Sequence, residues 1–317
     1  MAAPTTSRRL PKDRPFGVEW ITLGLFVACL GAWGLALWGL PALGLGWAFA
    51  LMVLALVLHA SLTHEVLHGH PFPSRRASEA LVLVNPGLFV PYLRFRDTHL
   101  AHHQDANLTD PYDDPESNYV DPVRWQRLPW LARVALRVNN TLAGRMAIGP
   151  LMGQLFFMAQ DWRLIRAGDR QVLKGWLLHL PGMALVIAVV ATAPMPLWLY
   201  LLACYVALSV LKIRTFLEHQ AHEKARGRTV IIEDRGPLAF LFLNNNLHVV
   251  HHMHPRVPWY RLPTLYRAHA ARYLACNEGY RYRSYAQVFA AHFLTAKDPV
   301  PHPLWSSASG PRGADPR

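Results

Sequence analysis

Two long stretches of this chain contain no charged residue. No Lys, Arg, Asp or Glu occurs between Glu19 and Glu65, or between Lys174 and Lys212. Each stretch is about twice the ~20 apolar residues that cross a bilayer. Each is also broken near its middle, by Pro41 among glycines in the first and by Pro194 and Pro196 in the second. Both read as helical hairpins, with spans at about 17–40, 42–63, 175–193 and 196–212. Composition agrees: 52% of residues are hydrophobic and 16% charged, against about 25% charged in a soluble domain. The fold expected is an all-α integral membrane protein of four transmembrane helices, with the remaining helices forming a cap on one side.

Charge placement gives the side. Arg8, Arg9, Lys12 and Arg14 precede the first stretch, and arginines fill the segment between the hairpins and the one after Lys212. The turns inside the hairpins carry no charge. Basic residues stay on the cytoplasmic side, so both termini and the cap are expected there, in a multi-pass protein of the inner membrane. The net charge of +12 then reflects topology and attraction to anionic headgroups rather than a nucleic-acid surface. Ser7-Arg8-Arg9 faintly resembles an export signal, but reads better as an anchor, since the apolar stretch that follows exceeds a signal core. Residues 1–16 are expected as a basic flexible arm, 17–305 as the membrane domain and 306–317 as a disordered tail. Residues 81–95, broken by Pro86 and Pro91, suit an interfacial or re-entrant segment, and 146–160 an interfacial helix. Cys29, Cys204 and Cys276 are too scattered for a disulfide framework or a thiolate metal site.

The chemistry lies in the histidines. His64-Glu-Val-Leu-His68 puts two imidazoles on one helical face, and His99-Leu-Ala-His102-His103 puts three there. His248-Val-Val-His251-His252 repeats that spacing, and Glu218-His219-Gln-Ala-His222 is a looser group. Neutral imidazole is the commonest metal ligand, and all-nitrogen sites suit Fe, Cu, Zn or Ni. His64-Glu65-x-x-His68 also matches the zinc-protease pattern, but that reading needs only one further ligand, and this chain offers at least six. Nine imidazoles (His64, His68, His99, His102, His103, His219, His248, His251 and His252) are too many for one tetrahedral ion. They suffice for two ions with four or five ligands each.

With these boxes in this order relative to the hairpins, the chain from about Trp20 to about His269 resembles the membrane-bound fatty acid desaturase and hydroxylase superfamily. Thr215-Phe-Leu-Glu-His219 looks like the segment that carries an additional ligand in acyl-lipid desaturases. The resemblance implies a cytoplasmic site of two irons held by those nine histidines, with O2 as co-substrate and electrons from a separate donor. His70 and His222 are possible additional ligands. His254 is expected outside the ligand set, His59 and His179 more often structural than ligating, and His269, His292 and His302 at the surface or in the core. Glu65, Asp97, Asp105, Asp110 and Glu218 are candidates to accept the second N–H of a ligating imidazole.

The chain has no Gly-rich dinucleotide fingerprint, and His254-Pro-Arg-Val is not the His-Pro-Gly-Gly of a fused cytochrome b5-like domain. A ferredoxin-like donor is therefore expected. The function expected is an O2-dependent fatty acid desaturase acting on lipid acyl chains. The alternative is a hydroxylase or ketolase of a lipid, carotenoid or alkane. A membrane metal-binding or transport protein is more remote, because the clusters lie outside the spans rather than at the bilayer midplane. Arg94, Arg96 and Arg214, flanking the boxes, are candidates to hold a phosphate or carboxylate headgroup.

Overall fold

The computed structural model describes residues 17–305; the arm expected at 1–16 and the tail expected at 306–317 lie outside the described residues. α1 (Trp20–Gly34) starts directly after Glu19 and passes through a π-turn (Leu35–Gly39) and a short 3-10 turn (Leu40–Ala42). Pro41 has no amide proton with which to continue a helix. Gly44 then adopts φ +139, a value that side chains resist. The chain reverses there, and α2 (Leu45–Leu67) returns antiparallel to α1. Box one occupies the last turn of α2 and the residue that caps it.

Residues 81–91 form turns rather than a helix. Their carbonyls are satisfied by the spans: Tyr200 Oη donates to Pro86 O at 2.6 Å, and His179 Nε2 meets Leu88 O at 2.6 Å. Gln154 Nε2 donates to Phe89 O at 2.8 Å. Irregular backbone can sit at membrane depth when protein groups meet its polar atoms, a condition that these contacts meet. The stretch also gives His179 a structural role.

The chain then builds α3 (Tyr92–His102), α4 (Trp130–Asn139), α5 (Leu142–Ala147) and α6 (Gly149–Arg166). Gly144 lies so close to the end of α4 that a Cβ there would stand 1.9 Å from Val138 O. α6 covers most of the interfacial helix expected at 146–160 but runs on past Asp161. That carboxylate is buried and paired with Arg94, so it does not end the helix.

The second hairpin is α7 (Arg170–Ala191) and α8 (Leu197–Thr215). α7 begins ahead of the expected span because Asp169 caps it, accepting from the amides of Gln171 and Val172. Four described helical segments are thus long and apolar enough to cross a membrane, Trp20–Ala42, Leu45–Leu67, Arg170–Ala191 and Leu197–Thr215. They match the four expected. α2 lies between α1 and α8. Small buried residues line these contacts: Ala48 shares a core with Ala203, Cys204 and Ala207 of α8, and the Ala55 carbonyl accepts from Cys29 of α1. Small residues let backbones approach closely where lipid removes the usual hydrophobic drive. Large apolar side chains such as Trp20, Trp47, Leu177 and Trp198 point outward, as lipid-facing positions require. All three cysteines are free.

Beyond α8 come α9 (His248–Met253) and α10 (Leu262–Cys276), and a two-residue parallel pairing of Ile231–Ile232 with Arg281–Tyr282. The described chain is otherwise helical or irregular.

Candidate metal centre

Four segments bring the nine box histidines together. The end of α2 supplies His64 and His68, and the end of α3 supplies His99, His102 and His103. The strand-like stretch after α8 supplies His219, and α9 supplies His248, His251 and His252. They sort into two groups. His64, His68, His99, His103 and His251 form one, and His102, His219, His248 and His252 the other, with the ligand atoms of each group lying within 4.8 Å of one another. Box two and box three each divide between the groups, because neighbours on one helical face diverge in direction.

The spacing is that of shared ions. Two nitrogens each about 2.1 Å from one ion, at roughly 90–109°, lie about 3.0–3.4 Å apart. In the first group, the Nε2 atoms of His64 and His99 are 3.1 Å apart, those of His99 and His103 3.0 Å, and those of His103 and His251 3.2 Å. In the second, His219 Nε2 lies 2.8 Å from that of His102 and 3.2 Å from that of His248.

The outer nitrogens show which way the inner ones are presented. His99 Nδ1 lies 2.9 Å from Glu116 Oε1, His102 Nδ1 2.8 Å from Asp114 Oδ1, and His248 Nδ1 3.0 Å from Asn245 Oδ1. A proton on each Nδ1 fits these oxygens, which assigns the lone pair to Nε2. In their neutral forms these three imidazoles therefore aim Nε2 lone pairs into the clusters, and His68 Nε2 is buried with no hydrogen-bond partner among the described residues. A proton between two facing nitrogens offsets their repulsion for one pair, whereas a metal ion serves every imidazole of a group at once.

Electrostatics point the same way. Burial, reinforced by the facing imidazoles, pushes His68, His103, His219, His248 and His251 well below the ordinary histidine value. They are neutral, as ligands must be. For His102 burial acts in that direction too, but Glu116 and Asp114 outweigh it and raise the group to about 9. Burial alone would raise Glu116; the neighbouring His102 and His99 hold it below the usual carboxylate range. The second group therefore has acidic counter-charge beside it.

Of the carboxylates expected behind the imidazoles, Glu65 lies 3.7 Å from His64 Nδ1 and accepts from the Trp259 amide. Glu218 lies 3.9 Å from His248 Nδ1. Asp97 instead pairs with Arg96, and Asp110 caps its own turn by accepting from the amides of Tyr112 and Asp113. The side chain of Asp105 lies outside the described residues. The closest acceptors, Asp114, Glu116 and Asn245, went unnamed in the sequence reading, although the Asp-Pro-rich loop was the signal for the first two.

His70 and His222 join neither group. His70 Nδ1 lies 2.6 Å from Glu19, and His222 Nδ1 meets the Lys224 backbone. His59 packs on Phe26, His254, His269 and His292 stand apart from both groups, and His302 Nε2 lies 3.3 Å from Thr109 Oγ1. The three arginines expected to hold a headgroup are spent inside the protein. Arg94 makes a two-pronged contact with Asp161 at 2.8 and 2.9 Å, Arg96 pairs with Glu79 at 3.0 Å, and Arg214 with Glu218 at 3.1 Å.

A cavity of about 670 Å³ opens beside the second group. Of the nine histidines, His102 and His219 line it, together with apolar residues such as Phe95, Phe156, Phe157 and Leu208 and charged ones such as Arg94, Glu116 and Arg214. Lys297 closes part of its inner wall, reaching the carbonyls of Phe216 and His219; burial lowers its ammonium to about 8.

Comparison with known proteins places most of the chain. A beta-carotene ketolase of Paracoccus sp. (strain N81106) is 27% identical over 266 residues, covering 76% of this chain and 88% of that protein. Residues 45–286, from the start of α2 through all the histidine boxes, match the family described as fatty acid desaturase. With four membrane-length helices and this histidine arrangement, the chain is a membrane oxidoreductase belonging to the fatty acid desaturase family.

Proposed function

We propose that this protein is an O2-dependent di-iron enzyme that oxidises an unactivated C–H bond of an apolar, membrane-borne chain, and within that class a desaturase of lipid acyl chains. The observation that carries the reading is the division of nine converging imidazoles into groups of five and four, with only the group of four bordering the cavity. Two irons so held would supply oxidation of a C–H bond with O2, using electrons from a separate ferredoxin-like donor. The protein's residues do the rest. Asp114, Glu116 and Asn245 fix the tautomers of His102, His99 and His248. Phe95, Phe156 and Phe157 give the substrate a dry, apolar wall. The group of five would hold one ion away from the cavity, and the group of four, two of whose imidazoles line the cavity, would hold the other. We place this site on the cytoplasmic side of the inner membrane, on the arginine distribution.

A second reading has support of its own. The similarity to a beta-carotene ketolase covers most of both chains, which favours insertion of oxygen into a long apolar substrate. The two are separated in one experiment. The chain is expressed with a ferredoxin system in a bacterium supplied with acyl lipids, a carotenoid and an alkane. A desaturase leaves acyl lipids lighter by two hydrogens. An unchanged acyl profile beside an oxygenated carotenoid or alkane would reject the acyl assignment. Full activity of a preparation containing zinc alone would reject the iron chemistry.

A further inference from the structure

We infer that the outer face of α4 is a lipid-docking surface, seated on the anionic headgroup plane of the bilayer this chain spans. Between Asp121 and Asp161 there is no acidic residue, while Arg124, Arg127, Arg133, Arg137 and Arg145 all fall there. Arg145 is buried and bonded to Asn118 and the Asn139 carbonyl. The other four make no ion pair among the described residues, and Arg124, Arg127 and Arg137 are exposed. This is a concentrated positive patch with no acidic partner among the described residues; Arg137 lies over the Trp125 ring, 5.5 Å from its centroid.

α4 places an apolar stripe in the middle of it. Trp130, Leu131, Val134 and Val138 are 65%, 63%, 43% and 45% exposed. At about 100° per residue they fall within about a third of the helix circumference. No residue of α4 is buried. Its opposite face, with Ala132, Ala135 and Leu136, lines the cavity. The helix is therefore a single-layer wall, with the cavity on one side and an uncovered apolar face on the other.

A short helix with Trp and aliphatic residues on one side and arginines around them is the composition of an element lying in the headgroup region. The arginine stems cover apolar surface while their heads reach phosphate. Continuity with the membrane-spanning surface favours lipid over an acidic protein. α5 packs against both α4 and α6, and α6 packs against the spans α7 and α8. α6 also leaves Leu151, Leu155 and Trp162 exposed. Packed elements thus link the spans to α4, and exposed apolar side chains stand on both α6 and α4. This sets the cavity wall at headgroup level, where an apolar chain can enter without crossing water; that entry route rests on the function proposed above, whereas the lipid contact does not.

The test uses the full chain with Cys276→Ser in nanodiscs, with a nitroxide placed at Leu131→Cys or Val134→Cys, and at Asp113→Cys as a water-exposed reference. Discs are made of phosphatidylcholine with or without phosphatidylglycerol. Collisions with O2 should exceed those with a water-soluble nickel chelate several-fold at 131 and 134, and the reverse should hold at 113. Replacing Arg124, Arg127, Arg133 and Arg137 with Gln should remove any deepening that phosphatidylglycerol produces. Water-like accessibility at both 131 and 134 in both lipids would overturn the inference. So would protection that appears only when an acidic carrier protein is added. An arginine-independent depth would overturn its anionic component. Because these readings need neither metal nor turnover, an inactive enzyme would count against the proposed function alone.

Discussion

At the level of single residues, the carboxylates behind the imidazoles carry the most testable chemistry. Asp114 fixes the ring of His102, and Glu116 that of His99. Removing such a partner typically costs about 10–100-fold in metal affinity or activity. Asp114→Ala is therefore expected to lower iron content or turnover by that order while leaving the protein folded. Asp97→Ala, which removes only a contact to Arg96, should leave both unchanged, and equal losses from the two variants would contradict the assignment. The contrast also shows what was legible. Each box declares its own helical face, because spacings of three and four residues are local. Which carboxylate meets which imidazole is decided by a loop held from far along the chain. Tyr119 bonds to Asp298, and His302 lies beside Thr109. Nothing near Asp110–Pro122 in the sequence announces those partners, so Asp110 and Asp97 looked as good as Asp114.

At the level of elements, α3 must be held at a fixed height for box two to face box one. Its anchor is the buried pair of Arg94 and Asp161, to which Trp176 Nε1 of α7 adds a hydrogen bond at 2.8 Å. Removing one member of a buried ion pair leaves an uncompensated charge, at a cost of roughly 3–5 kcal/mol. Asp161→Ala is expected to lower the thermal midpoint clearly, and the double change Arg94→Met with Asp161→Leu to recover most of it, since the stranded guanidinium is gone. A single variant as stable as the parent would show that the pair is water-filled and weak. The hairpins themselves were readable because an uncharged run has few other ways to satisfy its backbone. The end of α6 was not, because a charge was taken as the limit of the apolar stretch and its partner lies 67 residues away.

At the level of the whole molecule, two hairpins fix where the histidines stand. Box one ends α2 and His219 follows α8, so both lie at the ends of spans opposite the turns near Pro41 and Pro194. Reporter fusions at those turns should read periplasmic, and a fusion near Asp121 cytoplasmic; a periplasmic reading at Asp121 would reverse the proposed orientation. On the proposed function, metal would also be a structural element. The nine ligands come from four segments separated by up to 188 positions, from His64 to His252, so an unfolded chain offers no comparable site. A ligand that binds only the folded state stabilises it by about 4 kcal/mol when present at a thousand times its dissociation constant. Without metal, the Nε2 atoms of His99, His102 and His248 lie 2.8–3.2 Å from neighbouring imidazole nitrogens with no ion to hold them there. Stripping metal with a chelator in detergent should therefore lower the unfolding temperature, and adding Fe(II) back without oxygen should restore it. His251→Ala should weaken the five-histidine group and His248→Ala the four-histidine group, so each variant is expected to retain close to half the iron and a smaller chelator-dependent shift. An unfolding temperature unchanged by chelation, in a preparation shown to have lost its iron, would mean that the helix packing alone holds the imidazoles in place.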